Sequence, residues 1–259
     1  MKMFKKSSKW LLKTLPSNRW LYSACKLYVN SCNGENNDDT NSNGELRFMQ
    51  EMLPACRTVF DVGANVGHWA ALALQINPSL NLHCFEPSPA TFIMLKNNNF
   101  PSNVICNNAG LSATPGEANL FIFADGSGTN SLYQRQGLDQ NTGSQNRQEP
   151  VRLDTLDHYC EQQAIKTIDF MKIDVEGHEL EVLKGATNIL RQRNIKIIQF
   201  EYGGCNIDSR VFLKDIWNYF NGLNYSFYKL FPRENRKMSM YSQVFENFQY
   251  ANWVVIRND

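Results

Sequence analysis

The sequence has 259 residues, 26 Lys+Arg against 25 Asp+Glu, a formal net charge of +1 and 42% hydrophobic residues. That composition belongs to a globular chain and excludes a disordered, collagen-like or coiled-coil protein. No run of about 18 apolar residues occurs, which argues against a transmembrane helix. Near-neutral charge argues against electrostatic binding to nucleic acid.

The charge is uneven along the chain. Residues 1–34 hold seven basic side chains (Lys2, Lys5, Lys6, Lys9, Lys13, Arg19 and Lys26) and no acid, which leaves 19 basic against 25 acidic residues in the rest. Trp10, Trp20, Tyr22, Tyr28 and several leucines are interleaved with them. Lys13 and Pro16 interrupt the apolar stretch, so the segment does not read as a signal peptide. Two readings remain open: a helical extension packed on the main domain, or a peripheral anchor on an anionic membrane. Seven cysteines, odd in number and without a CxxC pair, suggest a reduced cytoplasmic chain and no zinc or disulfide framework. Residues 33–44 lack apolar side chains and read as a polar linker, so the expected division is an extension over 1–44 and one domain over 45–259.

Strand and helix patterns then alternate, which predicts an α/β domain with a mostly parallel sheet and helices on both faces. Thr58–Val62 is the first strand, residues 63–67 a turn, and residues 66–76 a helix ending before Asn77-Pro78. Leu80–Phe85 is the second strand. Ser88 and Pro89 suit the N-cap and first position of the next helix. Asn103–Asn107 is a third strand, and Leu120–Phe123 a fourth outside the central series. Residues 124–150, rich in Gly, Gln, Asn and Ser, suggest a lid-like insertion. Val151–Leu156 and a short helix to about Gln163 follow. Next come the strand Ile168–Ile173, a helix with Gly185 at its C-cap, the strand Lys196–Phe200 and a helix over Val211–Phe220. Tyr225–Leu230 and Trp253–Ile256 read as an antiparallel pair at one edge.

The turn Asp61-Val62-Gly63-Ala64-Asn65-Val66-Gly67 joins a strand to a helix, where ligands of such sheets bind. Glu86, 23 residues after Gly63 at the end of the second strand, can accept both hydroxyls of a ribose. Asn65 stands where a dinucleotide fingerprint needs its second glycine, which disfavours a nicotinamide-dependent oxidoreductase. Asp61 near the turn suits a cationic amino-acid tail better than a pyrophosphate. A nucleoside cofactor of the S-adenosylmethionine kind is therefore expected, with a non-catalytic cofactor-binding module as the third reading.

These residues, with Phe85-Glu86-Pro87 and above all Lys172-Ile173-Asp174-Val175-Glu176-Gly177-His178-Glu179, resemble the FkbM family of S-adenosylmethionine-dependent methyltransferases over about residues 57–204. The resemblance implies a Rossmann-like class I methyltransferase fold, a seven-stranded sheet with an antiparallel edge strand. It also implies O-methylation of a hydroxyl on a sugar, glycan or specialised metabolite. By resemblance, Asp61, Gly63, Asn65 and Gly67 hold the methionine end, Glu86 the ribose, and Asn108 and Ala109 lie near the adenine. Asp174 faces the methyl group and acceptor, with Glu201 beside it.

A sugar hydroxyl is a weak acid, so a base or a metal is needed. His178 is the first candidate base and its alternative role is to order the loop; Asp174 and Glu201 are the other candidate bases. The same two carboxylates could also hold a divalent ion. His68 reads as a supporting residue, and His83 and His158 as structural. The aromatic residues toward the C-terminus suit a sugar or planar acceptor, though most fall at core spacings.

Overall fold

The computed structural model describes residues 17–135 and 147–259. The five lysines from Lys2 to Lys13 and residues 136–146 of the expected insertion lie outside the described residues.

Five parallel strands form the centre: β1 (Thr58–Val62), β2 (Asn81–Phe85), β3 (Val104–Asn107), β7 (Ile168–Ile173) and β8 (Ile195–Tyr202). Val59, Phe60, Asp61 and Val62 are all buried, as are all six residues of β7, because helices cover both faces. Those helices include α2 (Glu45–Met52), α3 (His68–Ile76), α4 (Pro89–Lys96), α5 (Leu156–Gln162), α6 (Glu179–Lys184), α7 (Thr187–Arg191), α8 (Cys205–Ser209) and α9 (Leu213–Tyr219). Ser88 caps α4 by accepting from Thr91 N, with Pro89 inside the first turn. One core layer carries Phe60, Phe85, Ile173, Leu183, Phe200 and Trp253; the opposite layer carries Phe48, Met49, Val59, Leu82, Leu95 and Phe170.

The sheet has one more strand than expected. Its order is β10 (Glu234–Met238), β9 (Tyr225–Phe231), β11 (Ala251–Arg257), β8, β7, β1, β2, β3, eight strands among the described residues. Without β10 this is the class I methyltransferase sheet, with the reversed strand β11 lying between β8 and β9. The reversed strand is thus internal and not at the edge. The edge belongs to β10, antiparallel to β9. Its sequence, Glu-Asn-Arg-Lys-Met, hides it from an apolar-run search, yet charged residues suit an exposed edge because they discourage further pairing. A second sheet, order β4-β6-β5, is built from β4 (Gly110–Leu111), β5 (Gly116–Ile122) and β6 (Arg147–Asp154), which extend beyond the short strands expected there.

Residues 34–44 are not a free linker. Glu35 is buried and pairs with buried Lys229 at 2.8 Å, and Asn36 N–H donates to Tyr250 O. Asn43 and Glu45 are buried as well. Before them, α1 (Arg19–Asn33) buries none of its residues.

Candidate active site

Two turns meet at the carboxyl ends of β1 and β7. Asp174 N–H continues the ladder to Val62 O at 2.9 Å. Gly63 has φ +84, and a Cβ there would lie 1.8 Å from Asp174 O. The glycine is therefore required by the close approach of the second turn, whereas the sequence suggested approach to a ligand. Asn65 and Glu176 also sit at positive φ, 49° and 52°, and Gly177 at 101°. Gly67 has φ +91 and starts α3; a Cβ would come within 2.8 Å of Leu95.

A cleft runs over both turns in two connected halves. Gly63, Asn65, Gly128, Asp174 and Glu176 line both. Glu86, Gly110, Leu111, Leu120, Leu132 and His178 complete the more apolar half. The polar half, about 590 Å³, adds Thr40, Glu45, His68, Arg135, Lys172, Glu201 and Tyr250. The expected linker and insertion thus both reach the cleft, through Thr40 and through residues 126–135.

Glu86 stands at the apolar end. Its oxygens accept from Asn65 N–H at 3.0 Å and Ser88 N–H at 2.9 Å, which fixes the carboxylate and leaves lone pairs for two further donors. Burial pushes its pKa up to about 7. The wall expected of Asn108 and Ala109 is formed two residues later, by Gly110 and Leu111. Asn108 spends its amide on Glu86 O and Pro87 O, and Ala109 is buried.

Carboxylates crowd the polar end. Asp174, Glu176 and Glu201 each offer an oxygen within 4.8 Å of the others. The β7–β8 register, Ile173 opposite Phe200, brings Asp174 beside Glu201 as expected. Lys172 Nζ donates to Asp174 Oδ2 at 2.8 Å, Arg135 pairs with Glu176, and Tyr250 O–H donates to Glu201 at 2.9 Å. Burial opposes charge on Lys172, yet Asp174 and Asp61 hold its pKa well above the ordinary value. Burial and the Asp174 charge raise Glu176 to about 8, and the same two causes push Glu201 well up. Asp61 lies beneath the turn and outside the cavity walls; among the described residues neither of its buried oxygens has a hydrogen-bond partner, and burial raises it to about 6.

His178 is placed otherwise than a base requires. Its Nδ1 meets Tyr133 Oη and its Nε2 meets Ser112 Oγ, each at 2.9 Å. It is buried, and burial lowers its pKa to about 4. Both nitrogens are engaged and the ring lines only the apolar half, so it fastens the segment bearing Tyr133 to the turn before α6. His178→Ala is expected to weaken binding of S-adenosylhomocysteine about tenfold, through two lost hydrogen bonds, and to leave the pH profile of kcat unchanged. Calorimetric titration and the profile check this; unaltered affinity with kcat down 100-fold would restore the base role. Of the other histidines, His83 Nδ1 bonds buried Tyr159 Oη at 2.8 Å and is structural, while His68 lines the polar half.

Several cleft residues escaped sequence reasoning. Lys172 begins the Lys172–Glu179 motif, and a lysine beside Phe170, Met171 and Ile173 in a central strand was a usable signal. Arg135 and Glu45 carried none, nor did Ser112, which holds His178 from outside the cleft walls.

Residues 61–227 match the Methyltransferase FkbM domain family. This chain belongs to that family. It is 31% identical over 163 residues to the hexuronic acid methyltransferase AglP of Haloferax volcanii, covering 61% of this chain and 62% of that one. It is 28% identical over 167 residues to the 31-O-demethyl-FK506 methyltransferase FkbM of Streptomyces tacrolimicus, covering 54% and 63%. A solved methyltransferase FkbM from Methylobacillus flagellatus overlays on 77% of this chain and 43% of its own, with TM-score 0.49 and 15% identity. Both sequence matches thus span less than two thirds of the relative. Family membership displaces the nicotinamide reading that Asn65 already disfavoured.

Replacing Glu86 by Gln keeps the volume, removes the charge and leaves one of the two backbone N–H donors, of Asn65 or Ser88, facing an amide NH2. Affinity for S-adenosylhomocysteine is expected to fall roughly 10- to 100-fold, the cost of a charged hydrogen-bond acceptor, with little change in acceptor KM. Equal affinity in calorimetry would contradict the ribose assignment.

Proposed function

We propose that the chain transfers a methyl group from S-adenosylmethionine to a hydroxyl of a sugar, glycan or specialised metabolite. The observation that carries this is the two-part cleft: an apolar half ending at the Glu86 carboxylate, joined across the Gly63 turn to a half rich in carboxylates. The first half suits a nucleoside. The second, rich in carboxylates and with Asp61 beneath it near the Lys172 charge, suits a cationic tail. Similarity to a hexuronic acid methyltransferase and to a 31-O-demethyl-FK506 methyltransferase supports a sugar derivative or a specialised metabolite as the kind of acceptor.

When bound, the cofactor supplies an activated methyl group on a sulfonium. The protein's share is alignment and removal of one proton. Glu86 orients the ribose hydroxyls, and Gly110, Leu111 and Leu132 keep water from the nucleoside. Asp174 and Glu201, side by side on neighbouring strand ends, receive the acceptor proton as a pair. Lys172 holds Asp174 in place and Tyr250 holds Glu201. Arg135 and Lys172 already pair with two of the three clustered carboxylates, so charge balance does not demand a divalent ion.

The cleft's acidity predicts a pH dependence. Asp61, Glu86 and Glu176 titrate near 6, 7 and 8 because burial disfavours their ionised forms. Below those values they are protonated, so that Asp61 and Glu176 attract a cation weakly and Glu86 accepts ribose hydroxyls less well; above them they are ionised. Affinity for S-adenosylmethionine is expected to rise roughly tenfold or more from pH 5.5 to 7.5, with protons released on binding. Calorimetry in buffers of different ionisation enthalpy reads both. A flat affinity would argue against a cation at this end.

The direct test is incubation with methyl-labelled S-adenosylmethionine and fractionated host extract, with and without a chelator. Label in polysaccharide, glycolipid or a hydroxylated metabolite supports the reading. Label in protein or nucleic acid overturns the acceptor class. Activity lost on chelation would put a metal at Asp174, Glu176 and Glu201.

A further inference from the structure

Helix α1 buries no side chain against the domain, although it carries large apolar groups. Trp20 is 77% exposed, Tyr28 72% and Leu27 70%. Trp20, Ala24, Leu27 and Tyr28 follow i, i+4, i+7, i+8 spacing, with Leu21 and Cys25 beside them on one face. Arg19, Lys26, Asn30 and Asn33 share the opposite face. Tyr22 and Val29, 68% and 51% exposed, lie toward that second face, so the apolar face proper is Trp20, Leu21, Leu27 and Tyr28; exposed apolar groups gathered in this way mark an interaction surface.

Charge decides the partner. Residues 1–34 hold seven Lys and Arg and no Asp or Glu. A second copy pairing α1 against α1 would bring two positive segments together and be repelled. A surface that is anionic outside and apolar just beneath answers both features of α1. Trp and Tyr, with an apolar ring and one polar atom, suit that boundary, and basic residues on the polar face are the usual companions of such a helix.

We propose that α1 lies in the surface of an anionic membrane, with Trp20, Leu21, Leu27 and Tyr28 in the boundary between headgroups and acyl chains. The helix is tied to the cleft. Gly34 ends it in the left-handed conformation, Glu35 pairs with Lys229, and Asn36 N–H holds the backbone of Tyr250, whose ring edges the polar half. The anchor therefore continues into the rim of the cleft.

The full chain is sedimented with vesicles of phosphatidylcholine alone and of phosphatidylcholine with phosphatidylglycerol. Binding is expected to be at least about tenfold stronger to the anionic vesicles and to weaken as salt is raised. The triple variant Trp20→Ser, Leu27→Ser, Tyr28→Ser is expected to lose at least about tenfold in that binding, with an unchanged melting temperature because all three side chains stand in solvent. The proposal is overturned if the native chain stays in the supernatant, if neutral vesicles bind it equally, or if the variant sediments like the native chain. A dimer that the triple variant abolishes, without vesicle binding, would assign the face to a second copy. Sedimentation needs no methyl transfer, so its failure leaves the proposed reaction standing.

Discussion

Gly63→Ala is expected to abolish cofactor binding and to destabilise the domain by about 3–5 kcal/mol, the sum of left-handed strain at a non-glycine residue and overpacking against a rigid neighbour. The new Cβ would sit 1.8 Å from Asp174 O, which is backbone and cannot swing aside. Relief requires parting the β1 and β7 turns, which would break the Asp174 N–H to Val62 O bond and displace Asp174 from Glu201. Nucleoside and acid ends of the cleft would be lost together. Denaturant unfolding and S-adenosylhomocysteine titration measure the two effects. A variant that binds normally at native stability would show that the turns are not pressed together as described. Gly128, with open space around its Cβ position, is the control for stability: Gly128→Ala should keep the native unfolding midpoint.

Glu201→Gln is expected to lower kcat by 10²- to 10⁴-fold at pH values high enough to ionise Glu201, the usual contribution of a positioned base, while the fold stays at least as stable. The stability follows from sign. The folded pKa of Glu201 lies well above its unfolded value, because burial and the Asp174 charge oppose ionisation. A raised carboxyl pKa stabilises the fold at low pH and loses that contribution as pH rises through the unfolded value toward the folded one. Glutamine, permanently neutral, removes the penalty at neutral pH. Asp174→Asn should also lose activity, yet for two reasons at once. It removes half of the proton-accepting pair and strands buried Lys172 without its nearest partner, which costs about 3–5 kcal/mol when a buried pair is broken. Measuring kcat together with the melting temperature separates the cases. Undiminished turnover in Glu201→Gln would remove the carboxylate pair from proton transfer.

The candidate site was legible in the sequence where it depends on residue type at a fixed strand end. Gly63, Asn65, Glu86 and Asp174 all line the cleft, because the carboxyl end of a parallel strand has one place to be. Glu201 could be set beside Asp174 for the same reason. Roles that depend on what lies across space were not legible. His178 looked like a base from its motif, but its two nitrogens face Ser112 and Tyr133, 66 and 45 residues away in the chain. Asn108 looked like a cavity residue, but its amide turns back to Glu86 and Pro87.

By itself the sequence determined the alternating α/β order, the two turns, and the paired acids at neighbouring strand ends. These follow from periodicity, glycine placement and strand termini, all local quantities. Only the tertiary structure decided that the polar segment 34–44 docks through Glu35 and Lys229, that β11 slots between β8 and β9, and that polar β10 takes the edge. The physical reason is shared. A buried ion pair, an inserted strand and an exposed edge strand are each fixed by partners far along the chain, and no local pattern records them.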